Sequence, residues 1–244
     1  MRGLVGLFVV SLLFFTACDK KTKPDPKPKP PIDYKGFSYT APGALVPAKS
    51  GVGRRGDNYI YAPGIRFPIE QAPAYINSQV YGIGGYLGEK GSLCDLRNYQ
   101  YPWHDNFCEK RGWSMPLCAG GKGHQGVDIR TATCDKNRYY TVAVEDGVIT
   151  YIGQYTVKLR SNSGRTYRYL HMNSQSILVK RGQRVQRGQR LGLVSNNMGS
   201  TKTSIHLHFD MKQTIKVGNQ SKSVFVPLYS SLVDAYKRLL SGRP

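Results

Sequence analysis

Apolar and polar positions along this chain change their period several times. From Gly3 to Phe15 the residues are almost continuously apolar. Residues 34–120 show no long periodic run and are rich in Gly, Pro, Tyr and Asn, which predicts an irregular extension with short strands around Asn58–Ala62 and Tyr75–Tyr81. From Gly123 onward the pattern alternates. Val142 to Ile152 contains Asp146-Gly147 between two apolar runs and predicts strand, turn, strand. Thr156–Arg160 and Thr166–Leu170 flank Ser161-Asn162-Ser163-Gly164, a second hairpin signal. Val179–Val185 and Gln186–Gly192 form a local near-repeat, each with a Gly turn, an apolar residue and outward basic residues, which suits short strands. Leu228, Leu232, Tyr236, Leu239 and Leu240 recur at helical spacing and predict an amphipathic helix covering the sheet. The expected fold is mainly β: a compact antiparallel sheet or sandwich with an irregular, disulfide-tied N-terminal extension and a C-terminal helix.

As a helix, the first apolar run would span about 20 Å, short of a hydrocarbon layer of about 30 Å. With Arg2 before it, residues 1–17 read as a secretory signal rather than a membrane span. Leu13-Phe14-Phe15-Thr16-Ala17-Cys18 resembles the lipobox of bacterial lipoproteins, which implies cleavage before Cys18 and its lipidation. Asp19 directly after that cysteine resembles the inner-membrane retention signal of enteric bacteria. Residues 18–33 alternate Lys and Pro, cannot bury apolar area, and read as an extended tether reaching roughly 50 Å. The chain is therefore expected to be exported and held at the periplasmic face of a bacterial membrane, inner or outer, through Cys18.

Formal net charge is +20, about +17 of it after residue 33. A basic surface attracts polyanions, and export makes nucleic acid the least fitting of them. Cys94, Cys108, Cys118 and Cys134 contain no Cys-x-x-Cys pair, so two disulfides are expected in an oxidising compartment. Three connectivities are open. Sequential pairing, Cys94–Cys108 with Cys118–Cys134, is slightly favoured.

Four of the five histidines fall in three short signals: Gly123-His124-Gln125-Gly126-Val127-Asp128, Tyr169-Leu170-His171-Met172 and His206-Leu207-His208-Phe209. On a strand His206 and His208 share one face, while Leu207 and Phe209 point into the core. Imidazoles with a carboxylate elsewhere suit Zn²⁺, which in catalytic sites takes three protein ligands and keeps a fourth position open. Singly these signals say little, because a His-x-His is more often a surface pair. In this order and spacing they resemble the lysostaphin-type (LytM-like, duplicated hybrid motif) zinc endopeptidases, over roughly Gly123 to Met211. Arg66-Phe67-Pro68-Ile69-Glu70 and Asn77-Ser78-Gln79-Val80-Tyr81 are similar to the extension of some proteobacterial members.

The resemblance implies zinc ligands at His124, Asp128 and His208, with His171 and His206 as catalytic residues beside them. It implies a small, mostly antiparallel β fold over 121–244 with the site in a groove, following the extension at 34–120. It also implies peptidoglycan as substrate, cut in its peptide stems or cross-links by metal-activated water. His-Glu-x-x-His is absent, so histidines replace a helix-borne glutamate base. No Gly-x-Ser-x-Gly and no phosphate-binding Gly-Lys-Ser/Thr loop is present. His104 matches no motif and is assigned to a loop, with a substrate-rim role open; Tyr167 and Tyr169 are assigned to packing. The competing reading is a non-catalytic, wall-binding activator or scaffold of other murein hydrolases. A third is cleavage of secreted proteins.

Overall fold

The computed structural model describes residues 36–244. The expected signal segment 1–17, the lipidation site Cys18 and the tether 18–33 lie outside the described residues. Among the described residues no helix is long and apolar enough to cross a membrane.

The strands in chain order are β1 (Tyr75–Ile76), β2 (Val127–Arg130), β3 (Tyr140–Val142), β4 (Gly147–Ile152), β5 (Thr156–Ser161), β6 (Thr166–Leu170), β7 (Arg184–Val185), β8 (Arg190–Leu193), β9 (Asn197–Met198), β10 (Thr201–Lys202), β11 (Leu207–Val217) and β12 (Gln220–Phe225). They are followed by helix α1 (Tyr229–Leu240). The main antiparallel sheet runs β1-β2-β11-β6-β5-β4-β7. The long β11 holds it together: it pairs with β6 on one edge, and with β2 and then β12 on the other. Its period-2 pattern explains why, since Leu207, Phe209 and Met211 are fully buried on one face. The mainly β class with a C-terminal helix is as expected. The β5–β6 hairpin forms around Ser161–Gly164, and the basic residues of the 179–192 near-repeat, Arg181, Arg184 and Arg187 among them, face solvent.

Helix α1 lays Leu232 and Tyr236 onto a core to which the extension contributes Phe67, Ala74 and Trp103. Trp103 packs on Tyr236 at 4.4 Å between ring centroids, and Phe67 lies 4.9 Å from the same ring. Polar ends of these aromatics are satisfied: the Trp103 indole donates to the Ala74 carbonyl at 2.9 Å, and the Ala74 amide donates to the Tyr236 hydroxyl at 3.0 Å. The helix closes where Gly242, at φ 72°, reverses the chain and donates back to the Leu239 carbonyl. Ile65, Phe67, Ile69, Ile76 and Trp103 share one continuous core with the strands and helix that follow Gly123.

Three local expectations are corrected. Asn58–Ala62 is not a strand, because its donors go to side chains: Tyr59 N and Tyr61 Oη donate to Asp57, and Ala62 N donates to Ser231 Oγ. The strand at Tyr75–Tyr81 ends at Ile76, since Ser78 Oγ takes the amides of Val80 and Tyr81. Val142 and Gly147 do not flank a hairpin. β3 pairs with β8 in a separate two-stranded sheet, whereas β4 pairs with β5 and β7. Val142, Ala143 and Val144 are all fully buried, which marks a chain crossing through the interior rather than turning at the surface.

The cysteine pairing is corrected too: the disulfides are Cys94–Cys134 and Cys108–Cys118. The Arg130 guanidinium donates to the Leu93 carbonyl at 2.9 Å, which brings the end of β2 to the segment carrying Cys94. Turns at Met115 and Gly121 fold Cys118 back towards Cys108. Tertiary contact, not sequence proximity, decides both.

Because Phe67 and Trp103 of the extension cover Tyr236 and their removal would expose that part of the core, residues 121–244 produced alone are expected to lack cooperative thermal unfolding and to bind a hydrophobic dye. A sharp transition at the full chain's midpoint would show that the extension is dispensable for folding.

Candidate metal centre

Strand register brings the site together. His208 on β11 stands directly across from Asp128 on β2, and on its other side from Leu170, the residue before His171. Opposite residues of antiparallel strands hold their Cβ atoms about 5 Å apart, so His208 and Asp128 meet without a loop having to place either. His124, four residues before Asp128, sits in the approach to β2. Its amide donates to the Glu109 carbonyl at 2.8 Å and its carbonyl accepts from Cys108 N at 3.1 Å. The disulfide to Cys118 anchors that pairing segment. The two remaining histidines are tied to one residue: Ser195 N donates to the His171 carbonyl, and His206 N donates to the Ser195 carbonyl.

Three donor atoms converge. His124 Nε2 lies 3.0 Å from His208 Nδ1 and 3.3 Å from Asp128 Oδ1, and His208 Nδ1 lies 3.0 Å from Asp128 Oδ1. All three residues are buried. Zn²⁺ with bonds of about 2.0–2.1 Å places tetrahedral ligand atoms about 3.3 Å apart, so this donor set fits the edges of one tetrahedral face. The outer nitrogens are committed elsewhere. His124 Nδ1 donates to the Asn106 carbonyl at 2.8 Å, and His208 Nε2 donates to Asp210 Oδ2 at 3.0 Å. Each ring therefore directs its other nitrogen inward, as orientation by outer partners requires. Burial opposes charge on His208, but its bonds to Asp128 and Asp210 outweigh burial and lift it to about 9. Burial would likewise raise Asp128, yet His124 and His206 hold it well below the usual carboxylate range. Such a site trades a proton for a cation.

His206 and His171 stand beside this cluster. His206 Nε2 is 3.5 Å from Asp128 Oδ1, and the His171 and His206 rings are 4.7 Å apart. His171 Nδ1 donates to the Asn197 carbonyl at 2.8 Å, and the ring stacks parallel to Tyr155. Burial, then His206, pushes His171 down to about 3, so it is neutral at pH 7. Its φ of 68° is left-handed, a strained conformation for a non-glycine residue. The structure thus gathers all five predicted histidine and aspartate residues. His104 is elsewhere, lining a cavity of about 220 Å³ with Tyr101 and Arg97. Tyr167 and Tyr169 are fully buried: the Tyr167 hydroxyl donates to Glu145, and the Tyr169 hydroxyl accepts from Val144 N.

The cluster floors a groove of about 980 Å³. One wall comes from the extension, including Tyr86 and Trp113, exposed by 77% and 62%. Lys202 and Lys212 line the groove from β10 and β11.

Sequence reasoning did not single out two supports. Asp210 takes His208 Nε2 and is itself held by Arg168 at 2.6 Å, and Arg168 also reaches Gln125 Oε1. Its signal was present, since His206, His208 and Asp210 alternate on one strand face. Asn106 accepts from His124 through its carbonyl and from the Asp128 amide through Oδ1 at 3.1 Å. Nothing in the local sequence marks it, because it acts across the fold.

The family model "Peptidase family M23" matches residues 122–236. Residues 122–236, just under half of the chain, thus resemble peptidase family M23. The M23 segment begins two residues before His124 and ends within α1. Peptidoglycan DD-endopeptidase ShyA of Vibrio cholerae is 41% identical, with the match covering 64% of this chain and 36% of that protein. The chain matches about a third of that relative's length. Solved structures similar to it include a zinc-containing peptidase from Vibrio cholerae, 28% identical, with a TM-score of 0.33 over 49% of this chain and 33% of that one. Another is the catalytic domain of lysostaphin from Staphylococcus simulans, 24% identical, with a TM-score of 0.37 over 52% of this chain and 90% of that one.

Within the M23 segment, Gly126 is required by space. A Cβ there would lie 2.5 Å from the Phe209 carbonyl oxygen and 3.0 Å from His208 Nε2. Gly126→Ala is expected to lower stability by about 1–3 kcal/mol in denaturant titration and to weaken zinc binding. Asp210→Asn keeps the side-chain shape but removes the charge. Competition with a chromogenic chelator should show zinc affinity about 10- to 100-fold lower. Unchanged affinity would remove Asp210 from the support of His208.

Proposed function

We propose that this protein is a zinc-dependent endopeptidase hydrolysing peptide bonds in peptidoglycan stems or cross-links. The observation that carries this reading is the set of three buried donors 3.0–3.3 Å apart on the floor of an open groove. His124, Asp128 and His208 are the proposed ligands. Zn²⁺ held by them supplies Lewis-acid chemistry, lowering the pKa of a water and polarising the scissile carbonyl.

The chain's own residues would then handle protons. His171 and His206 each commit Nδ1–H to a backbone carbonyl, of Asn197 and Ser204, and present Nε2 as the acceptor. A proton taken there leaves an imidazolium able to donate to the oxyanion or to the departing amine. Lys202 and Lys212 suit a substrate carrying carboxylates, and the exposed rings of Tyr86 and Trp113 offer flat apolar contact. The name of the Vibrio cholerae relative, a peptidoglycan DD-endopeptidase, supports the same substrate. We further propose an exported protein anchored through Cys18, with residues 18–33 spacing the catalytic part from the membrane.

Zinc-loaded protein is expected to release muropeptides from cell-wall sacculi and to stop when a chelator is added. His208→Ala should lose both metal and activity. His206→Ala should keep about one zinc per chain while turnover falls about 10²- to 10⁴-fold. Full zinc loading in the wild type with no cleavage of sacculi or defined muropeptides would overturn the peptidase reading and favour a non-catalytic wall-binding module.

A further inference from the structure

A buried hydrogen-bond chain leads from the extension to His206. Arg130 Nε donates to Asn77 Oδ1 at 3.1 Å. Gln79 Nε2 donates to the same oxygen and to the Asn77 carbonyl, both at 3.0 Å. Ser204 Oγ donates to Gln79 Oε1 at 2.6 Å and also lies 3.0 Å from His206 Nδ1. The Ser204 carbonyl is 2.9 Å from that nitrogen. Arg130, Gln79, Ser204 and His206 are all buried.

Chemistry sets the polarity of every link. A guanidinium has donors and no acceptor, and it does not deprotonate in proteins. The Asn77 atom facing Arg130 must therefore be its oxygen, which agrees with Asn77 Nδ2 donating to the Asn98 carbonyl at 2.6 Å. Two acceptors of Asn77 face one end of the Gln79 amide, so that end is the nitrogen and the oxygen faces Ser204. The Ser204 hydroxyl proton is then committed to Gln79. The Ser204 carbonyl and hydroxyl oxygen can only accept from His206 Nδ1, so the ring proton sits on Nδ1. In the neutral ring the lone pair is then on Nε2, the nitrogen 3.5 Å from Asp128 Oδ1.

We infer that Arg130, acting through Asn77, Gln79 and Ser204, holds the Ser204 hydroxyl oxygen as a second acceptor beside the Ser204 carbonyl and so reinforces the ring tautomer of His206, making Gln79 a positioning residue that lies upstream of the M23 segment. This rests on the peptidase reading for its catalytic meaning. Without Gln79 the Ser204 hydroxyl is free to turn its proton to Nδ1, which supports the opposite tautomer with Nε2 protonated. That form cannot accept a proton in the groove. The extension thus contributes to proton transfer as well as to the core.

The test uses the zinc-loaded full chain labelled with ¹⁵N-histidine. In the wild type, His206, assigned by its loss in His206→Ala, should show protonated Nδ1 and unprotonated Nε2. In Gln79→Ala the two nitrogen shifts should move towards each other as both tautomers populate, while zinc content stays at the wild-type level. On muropeptides, kcat should fall about 10- to 100-fold with KM unchanged. Ser204→Ala removes the hydroxyl on which Gln79 acts, so adding Gln79→Ala to it should cause no further loss and no further shift change. Identical wild-type and Gln79→Ala nitrogen shifts, or additive kcat losses in the double variant, would overturn the inference. The nitrogen shifts need no substrate. If they respond as expected while the wild type cleaves nothing, the peptidase reading fails and the tautomer lock stands.

Discussion

The pairing of β2 with β11 is the constraint on which the rest depends. It sets His208 across from Asp128, and it does so through backbone hydrogen bonds rather than through the side chains themselves. Because side chains alternate along a strand, a slip of one residue would send His208 into the core and bring Phe209 to the groove. Burial of Leu207, Phe209 and Met211 resists that slip. The donor cluster is thus held in register by the apolar face behind it, and Gly126 leaves the room that this close approach demands.

Around that pairing, support is arranged in two directions. From within the M23 segment, Arg168 and Asp210 brace the outer nitrogen of His208. From the extension, Asn106 braces His124 and the backbone of Asp128, and Gln79 braces Ser204 beside His206. The extension is therefore part of the site's frame. Cys94–Cys134 and the Arg130–Leu93 bond join it to the end of β2, while Trp103 and Phe67 join it to α1. The same segment walls one side of the groove. Folding of the core, assembly of the donor cluster and shape of the groove are consequences of one packing arrangement.

Electrostatics follow from burial. With two imidazoles and a carboxylate gathered out of water, opposite charge sets the balance: Asp128 and Asp210 lift His208 against burial, while His124 and His206 hold Asp128 down. Neutral His171 stays available beside them, held in a left-handed backbone conformation that the surrounding contacts with Asn197 and Ser195 maintain.

Local chemistry determined much on its own. Alternating apolar residues marked β5, β6 and the start of β11, helical spacing marked α1, and the motifs around His124, His171 and His206 named the residues that the fold gathers. Asp210 was legible by the same alternation. Tertiary structure decided what depends on partners distant in the chain. It paired the cysteines as 94–134 and 108–118, carried Val142–Val144 through the interior instead of around a hairpin, ended the expected strand at Ile76 so that Asn77 and Gln79 became braces for the site, and made Asn106 another. A strand or helix writes its period into neighbouring residues, because its own geometry repeats; a hydrogen bond between residues 79 and 204 leaves no such trace, because only the folded chain brings its two ends within reach.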